Sequence, residues 1–142
     1  MEEANFNVEH VPTDSVWEHW EYIDKYVTEA AEATYGECSR EYYRGQLING
    51  QQQLLLFRLD GRIIGCMTCC IDVAPTGRRY LELPCLGGEY NVLSDYTTEI
   101  VDHIKMMKEM YMCDVARGGG RKGWHRFLRN EGFKPTQTFV EL

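Results

Sequence analysis

Gln53-Leu54-Leu55-Leu56-Phe57-Arg58-Leu59-Asp60-Gly61-Arg62-Ile63-Ile64-Gly65-Cys66-Met67-Thr68-Cys69-Cys70-Ile71-Asp72-Val73 is the stretch on which the fold turns. Gln53 to Leu59 reads as a strand, and Asp60-Gly61 is the two-residue signal of a tight hairpin. Arg62 to Val73 then returns as the partner strand. Pro75-Thr76-Gly77 makes the next turn, and Arg79 to Leu86 forms a third strand. The three runs predict an antiparallel meander.

Upstream, Asn5 to Val11 alternates as a strand. Pro12-Thr13-Asp14 supplies a helix start, with Thr13 or Asp14 as the expected cap. Val16, Trp20, Ile23, Val27 and Ala30 follow at helical spacing, and the helix should stop near Gly36. A second helix is expected from Ser39 to Ile48, closed by Asn49-Gly50. Downstream, Gly87-Gly88 ends the third strand. A helix of about five turns is expected from Ser94 to Tyr111, with Ile100, Ile104, Met107 and Met110 or Tyr111 inward. Met112 to Ala116 reads as a short strand, Arg121 to Asn130 as a helix, and Thr136 to Leu142 as a last strand. The expected class is α/β (α+β), in the order β-α-α-β-β-β-α-β-α-β: a mixed, mostly antiparallel sheet flanked by helices, in a single domain over 1–142.

Size and composition fit such a domain. The chain has 142 residues, 44% hydrophobic and 26% charged, with no repeat and no low-complexity segment. A net charge of -7 argues against a nucleic-acid binder, because phosphate neutralisation needs clustered cations. No run is long enough to cross a bilayer, and Met1-Glu2-Glu3-Ala4-Asn5 lacks the pattern of a secretory signal, so a cytoplasmic location is expected.

Six cysteines raise the question of metal. Alternation on the second meander strand sends Cys66 and Cys70 to one face and Cys69 to the other. A chelating pair needs a turn that converges both sulfurs and a second pair downstream, and neither is present. Buried reduced thiols and no metal are expected. The four histidines show no ligand spacing either.

The order of elements, together with Trp124-His125-Arg126-Phe127-Leu128-Arg129-Asn130-Glu131-Gly132-Phe133, resembles the GNAT family of acyl-CoA-dependent N-acyltransferases. In that run the Gly permits the left-handed turn that stops a helix, and the Phe packs back beneath it. The resemblance implies acetyl-CoA bound where neighbouring parallel strands splay, with its diphosphate on a glycine-rich loop before the long helix. The residues at that place are Leu86, Gly87 and Gly88, followed by Glu89 to Asp95. No Arg or Lys lies among them, and Ser94 and Asp95 read as helix caps. The resemblance also implies a Glu base on the third meander strand, which Glu82 matches. Glu82 could equally pair with Arg78 or Arg79 across the surface. An Asn at the last helix's start is replaced by Arg121, and the neighbourhood of the usual Tyr acid is Phe127-Leu128.

Arg117-Gly118-Gly119-Gly120-Arg121-Lys122-Gly123 adds three cations among glycines at a helix start, an anion site by chemistry. The resemblance implies that this loop lies close to bound CoA, which makes Arg117, Gly119, Arg121 and Lys122 candidate contacts to its phosphates; a flexible surface turn is the alternative. Trp17, Trp20, Tyr22 and Tyr26 on the first helix read either as core plus ordinary exposed Tyr or as a protein-docking face, and the resemblance implies that this helix could wall the acceptor site. Two functions are expected to compete. One is N-acyl transfer to an amine or protein acceptor. The other is a non-catalytic binding role, since the chain is also similar to small GNAT-like internal virion proteins of short-tailed phages; that likeness implies an assembly or host-interaction role, in the virion or the host cytoplasm.

Overall fold

A computed structural model describes residues 4–34, 36–118, 128–129, 131–134 and 142. The expected last strand, 136–142, and most of the expected last helix lie outside them. Among the described residues six strands form one mixed sheet: β1 (Phe6–Val11), β2 (Gln53–Leu59), β3 (Arg62–Val73), β4 (Arg79–Leu83), β5 (Leu86–Gly88) and β6 (Val115–Gly118). The order across the sheet is β1-β2-β3-β4-β6, with β5 also on β3. All pairs are antiparallel except β4 with β6, which is parallel.

The run Leu54 to Phe57 is fully buried because both faces of the sheet are covered. Leu54 and Leu56 pack with Val16, Trp20, Ile23 and Val27 of α1 (Val16–Glu32) and with Tyr43 and Leu47 of α2 (Arg40–Ile48). Leu55 and Phe57 pack on the opposite face with Ile100, Ile104 and Met107 of α4 (Thr97–Met110). Asp60 and Gly61, at φ 52° and 82°, have the two left-handed residues of a type I′ hairpin. Cys66 joins the α1 side and Cys69 the α4 side, as alternation requires. Both behave as small hydrophobes; burial pushes the Cys69 thiol up to about 11, and a hydrogen bond with Cys85 together with burial raises Cys66.

The helix starts differ from expectation. Thr13 to Ser15 form a single 3-10 turn, and Ser15 takes the cap position of α1 without a side-chain bond. Tyr26 and Ala31 complete the buried stripe, while Ala30 is half-buried. In α2 the cap is as read: Ser39 Oγ accepts from the Tyr42 N–H at 3.1 Å. The helix expected from Ser94 begins earlier and is broken, with a short turn α3 (Tyr90–Leu93) and a 3-10 turn (Ser94–Tyr96) before α4. Ser94 and Asp95 do not cap α4, whose cap position is Tyr96. Met110 is exposed.

At the far end, the Phe133 N–H donates to Leu128 O at 3.1 Å and the Gly132 N–H to Arg129 O at 3.2 Å, with Gly132 at φ 99°. This is the double bond of a Schellman stop, and Leu128 and Phe133 both pack on the α4-side core.

His10 of β1 and His103 of α4 meet Nε2 to Nε2 at 2.7 Å. The bond needs one bare nitrogen, so at least one ring must be neutral. Burial, then the neighbouring His10, lowers the His103 pKa from its ordinary 6.5. A depressed histidine pKa contributes stability that is present above 6.5 and lost as pH falls through the folded value. Urea midpoints measured between pH 7.5 and pH 5 should therefore fall, and His103→Gln should flatten that slope.

Candidate active site

The site is set by a break in register. β3 advances three residues from Met67 to Cys70, while its partner advances four from Glu82 to Leu86. The extra residue is a β-bulge over Leu83, Pro84 and Cys85, which splits the expected single strand 79–86 into β4 and β5. Pro84, with no N–H, is tolerated where the ladder is interrupted. Its carbonyl accepts from Tyr43 Oη at 3.2 Å, and Cys85 O accepts from the Thr68 N–H at 2.9 Å.

Beyond the bulge, Cys85 O bonds to β3, Gly87 pairs with Cys66, and the Glu89 N–H donates to Ile64 O. Alternation then turns the backbone groups of Leu86 and Gly88 to the opposite edge. On that side the parallel pairing of β4 with β6 runs, among the described residues, to Leu83 and Gly118. Leu86 N–H therefore points away from β3 just past the place where the parallel ladder, as described, ends.

Before the bulge, Leu81 and Leu83 go to the α4-side core, so Tyr80 and Glu82 face the α1/α2 side. Register adds Cys70 opposite Glu82, Asp72 opposite Tyr80 and Arg117 beside Glu82. Arg117 Nε donates to Glu82 Oε1 at 2.7 Å, and its Nη2 lies 2.6 Å from the same oxygen. Asp72 Oδ2 is 4.0 Å away, and the guanidinium sits 3.8 Å from the Tyr80 ring centroid. The hydrogen bond to Glu82 raises the Arg117 pKa, and burial followed by the charges of Glu82 and Asp72 raises Cys70. Deeper on the same face, Thr68 is fully buried, and its Oγ1 has no partner among the described residues.

Glu82 thus lies on β4 and faces the α1/α2 side, and its counter-ion is Arg117 rather than Arg78 or Arg79. Arg79 instead reaches the C-terminal end of α4, with Nε to Met112 O at 3.1 Å and Nη2 to Tyr111 O at 3.0 Å, a favourable place for a cation. Arg78 lies over the Tyr80 ring. Arg117, expected among the phosphate contacts, has its guanidinium on Glu82, Asp72 and Tyr80. Gly119, Arg121 and Lys122 lie outside the described residues, as does Phe127.

Leu86, Gly87 and Gly88 form a strand, not an open loop at a helix start. A Cβ on Gly87 would lie 2.5 Å from Tyr26 O in α1, and one on Gly88 would collide with Leu93 Cδ1 and lie 2.7 Å from Ile64 O. Both glycines are required by close packing of backbone on backbone. Glu89 is ion-paired with Arg62 at 3.0 Å, so that arginine is already committed.

Sequence reasoning missed Tyr80, Asp72 and Thr68. The register that brings Asp72 opposite Tyr80 and Cys70 opposite Glu82 is set by the turn between Val73 and Arg79. The Arg117 pairing depends on the parallel neighbour β6, for which no local signal exists.

No protein-family model matches the chain, and no curated protein does. Solved structures match it over nearly its whole length. A predicted acetyltransferase from Clostridium acetobutylicum, solved with acetyl-CoA, has a TM-score of 0.68 at 13% identity and covers 97% of this chain and 96% of its own. The ribosomal-protein-alanine N-acetyltransferase of Brucella melitensis biovar Abortus 2308 gives 0.69 at 13%, covering 97% and 99%. An aminoglycoside acetyltransferase from an uncultured soil metagenomic sample, in complex with sisomicin, gives 0.66 at 10%, covering 96% and 93%. The chain has the GNAT acetyltransferase fold. Nothing in these comparisons supports the resemblance to phage virion proteins.

Gly87→Ala should lower the unfolding free energy by about 1–3 kcal/mol, since the new methyl meets α1 backbone. Urea denaturation measures this. Unchanged stability with lost acetyl-CoA affinity would instead assign Gly87 to the cofactor.

Proposed function

We propose that this protein is an acyl-CoA-dependent N-acyltransferase in which Glu82 is the base. The observation that carries the reading is the bulge, which lies between Glu82 on the α1/α2 face and Leu86, whose N–H is turned outward four residues later. The acyl end of acetyl-CoA fits this arrangement, because an outward strand edge offers the N–H and C=O groups that an extended amide-bearing arm pairs with. The diphosphate end fits less well, since 86–95 holds no Arg or Lys and Glu89 occupies Arg62. Arg121 and Lys122 are the cations proposed to meet the phosphates, and Gly119 to permit their close approach.

Bound acyl-CoA would supply an activated thioester. Leu86 N–H is the donor proposed to polarise its carbonyl oxygen, a role worth most where water is excluded. Glu82 Oε1 or Oε2 receives the proton that the amine loses. No membrane is called on: among the described residues no helix is long and apolar enough to cross one.

A second reading is a binding role through α1, on which Trp17 is 63% and Tyr22 55% exposed. Titration with acetyl-CoA separates the two. Cofactor at a hundred times its dissociation constant should stabilise the fold by about 2.7 kcal/mol, seen as a rise in Tm. Glu82→Gln should keep that rise and lower kcat by about 10²–10⁴-fold. Replacing Arg121 and Lys122 by Ala should diminish the rise. No shift at millimolar cofactor, with no acetylation of any amine in a broad panel, would overturn acyl transfer and favour the binding role.

A further inference from the structure

A base closed by an arginine is an obstacle to an ordinary amine. An acceptor ammonium that approaches Glu82 must either evict Arg117 or sit beside it, cation against cation. Eviction is opposed by contacts that do not involve Glu82: the guanidinium is stacked 3.8 Å from the Tyr80 ring centroid and has Asp72 at 4.0 Å. Arg117 would therefore stay when Glu82 takes a new partner. Its side chain is 41% exposed and that of Glu82 24%, so the pair can be reached from solvent.

The geometry of the pair indicates what can be accommodated. Arg117 uses its Nε and Nη2 edge, and both contacts fall on one oxygen, Glu82 Oε1. Nη1 makes no hydrogen bond or ion pair among the described residues, so the fork has donors to spare for a second carboxylate. An acceptor that carries a carboxylate next to its amine can exchange partners with this pair. Its ammonium takes the Glu82 oxygen while its carboxylate takes the guanidinium, and every charge keeps a counter-charge. A plain amine, an amide or an ester of the same size leaves Arg117 without its exchange partner.

We propose that the acceptor is a small zwitterionic amino acid and that Arg117 is the residue that anchors its carboxylate. This rests on the reading of Glu82 as base. In the reaction the acceptor ammonium first gives one proton to Glu82, which passes it to solvent. The nitrogen lone pair then forms the C–N bond as the C–S bond of acyl-CoA breaks. The second nitrogen proton is released as the amide forms, and the departing thiolate is protonated in its turn. The net products are the N-acyl amino acid, free thiol and one proton.

The test compares matched acceptors with the full chain and acetyl-CoA, following product by mass spectrometry. Leucine, leucinamide and isopentylamine share a side chain and differ in the carboxylate. Leucine should exceed both others in kcat/KM by tenfold or more. Arg117→Gln should raise KM for leucine about tenfold and bring the three acceptors near parity, while Arg117→Lys should recover part of the preference. Equal or better use of isopentylamine by the native chain, or an unchanged preference in Arg117→Gln, would overturn the anchor and leave Glu82 as base intact. If none of a wider panel of amino acids and amines is acetylated, the transferase reading itself fails. Direct binding by NMR titration then decides the anchor: leucine binding that Arg117→Gln abolishes supports it, and absent or Arg117-independent binding removes it.

Discussion

A single surplus residue between Glu82 and Leu86 organises the rest of this molecule. Without it, the third strand of the meander would run straight, pair with β3 throughout, and offer β6 a continuous edge. With it, the strand changes register on β3, and among the described residues its parallel pairing with β6 runs from Tyr80 and Val115 to Leu83 and Gly118. A bulge costs ladder hydrogen bonds, and the sequence meets that cost locally. Pro84 has no N–H to lose, its carbonyl is held by the Tyr43 hydroxyl, and Cys85 O is held by Thr68 N–H. Tyr43 is fully buried between α2 and the sheet, and burial with its Cys38 hydrogen bond holds its phenol protonated. The bulge is thus clamped from the helix side, and the two groups assigned to chemistry lie immediately before and after the clamp.

Close packing explains the glycines on which a phosphate reading would lean. Gly65, Gly87 and Gly88 lie together where β3, β5, α1 and α3 converge, and a Cβ at any of them would meet backbone atoms at 3.1 Å or less. Such contacts let α1 sit against the sheet just beside the outward edge of Leu86. The same glycines therefore serve the site indirectly, by setting how near the helix layer approaches. A glycine pair at the expected place does not by itself mark an anion cradle, because the physical demand for a missing Cβ is the same in both cases.

Local chemistry made much of the fold legible. The Asp60-Gly61 hairpin, the Ser39 cap, the Asn49-Gly50 close and the Gly132-Phe133 stop each depend on a few neighbouring residues, and each has the structure its residues suggest. The bulge was hidden, because nothing in Leu83-Pro84-Cys85 distinguishes a register shift from a Pro at a strand end. The start of α1 was misread for a related reason: Thr13 and Asp14 are good caps, yet a 3-10 turn carries the chain past both. Glu82 was legible as a carboxylate on the right strand, whereas its partner required knowing which strand lies alongside. Arg79 was the nearer cation in sequence and went to the carbonyls ending α4 instead.

That division of arginines bears on what the site can bind. The chain carries a net charge of -7, yet near the site its cations are held close by acids, aromatic rings or carbonyls: Arg62 by Glu89, Arg78 by Tyr80, Arg117 by Glu82. Exposed pairs of this kind are individually weak, on the order of 0–1 kcal/mol, and so can be exchanged for a ligand's charges at modest cost. An anionic ligand gains little from a cation already neutralised unless it brings a replacement for the displaced carboxylate. A zwitterion does so at Glu82 and Arg117, and a diphosphate beside Arg62 and Glu89 does not. Electrostatics alone therefore favours a zwitterion at Glu82 and Arg117 over a diphosphate beside Arg62 and Glu89.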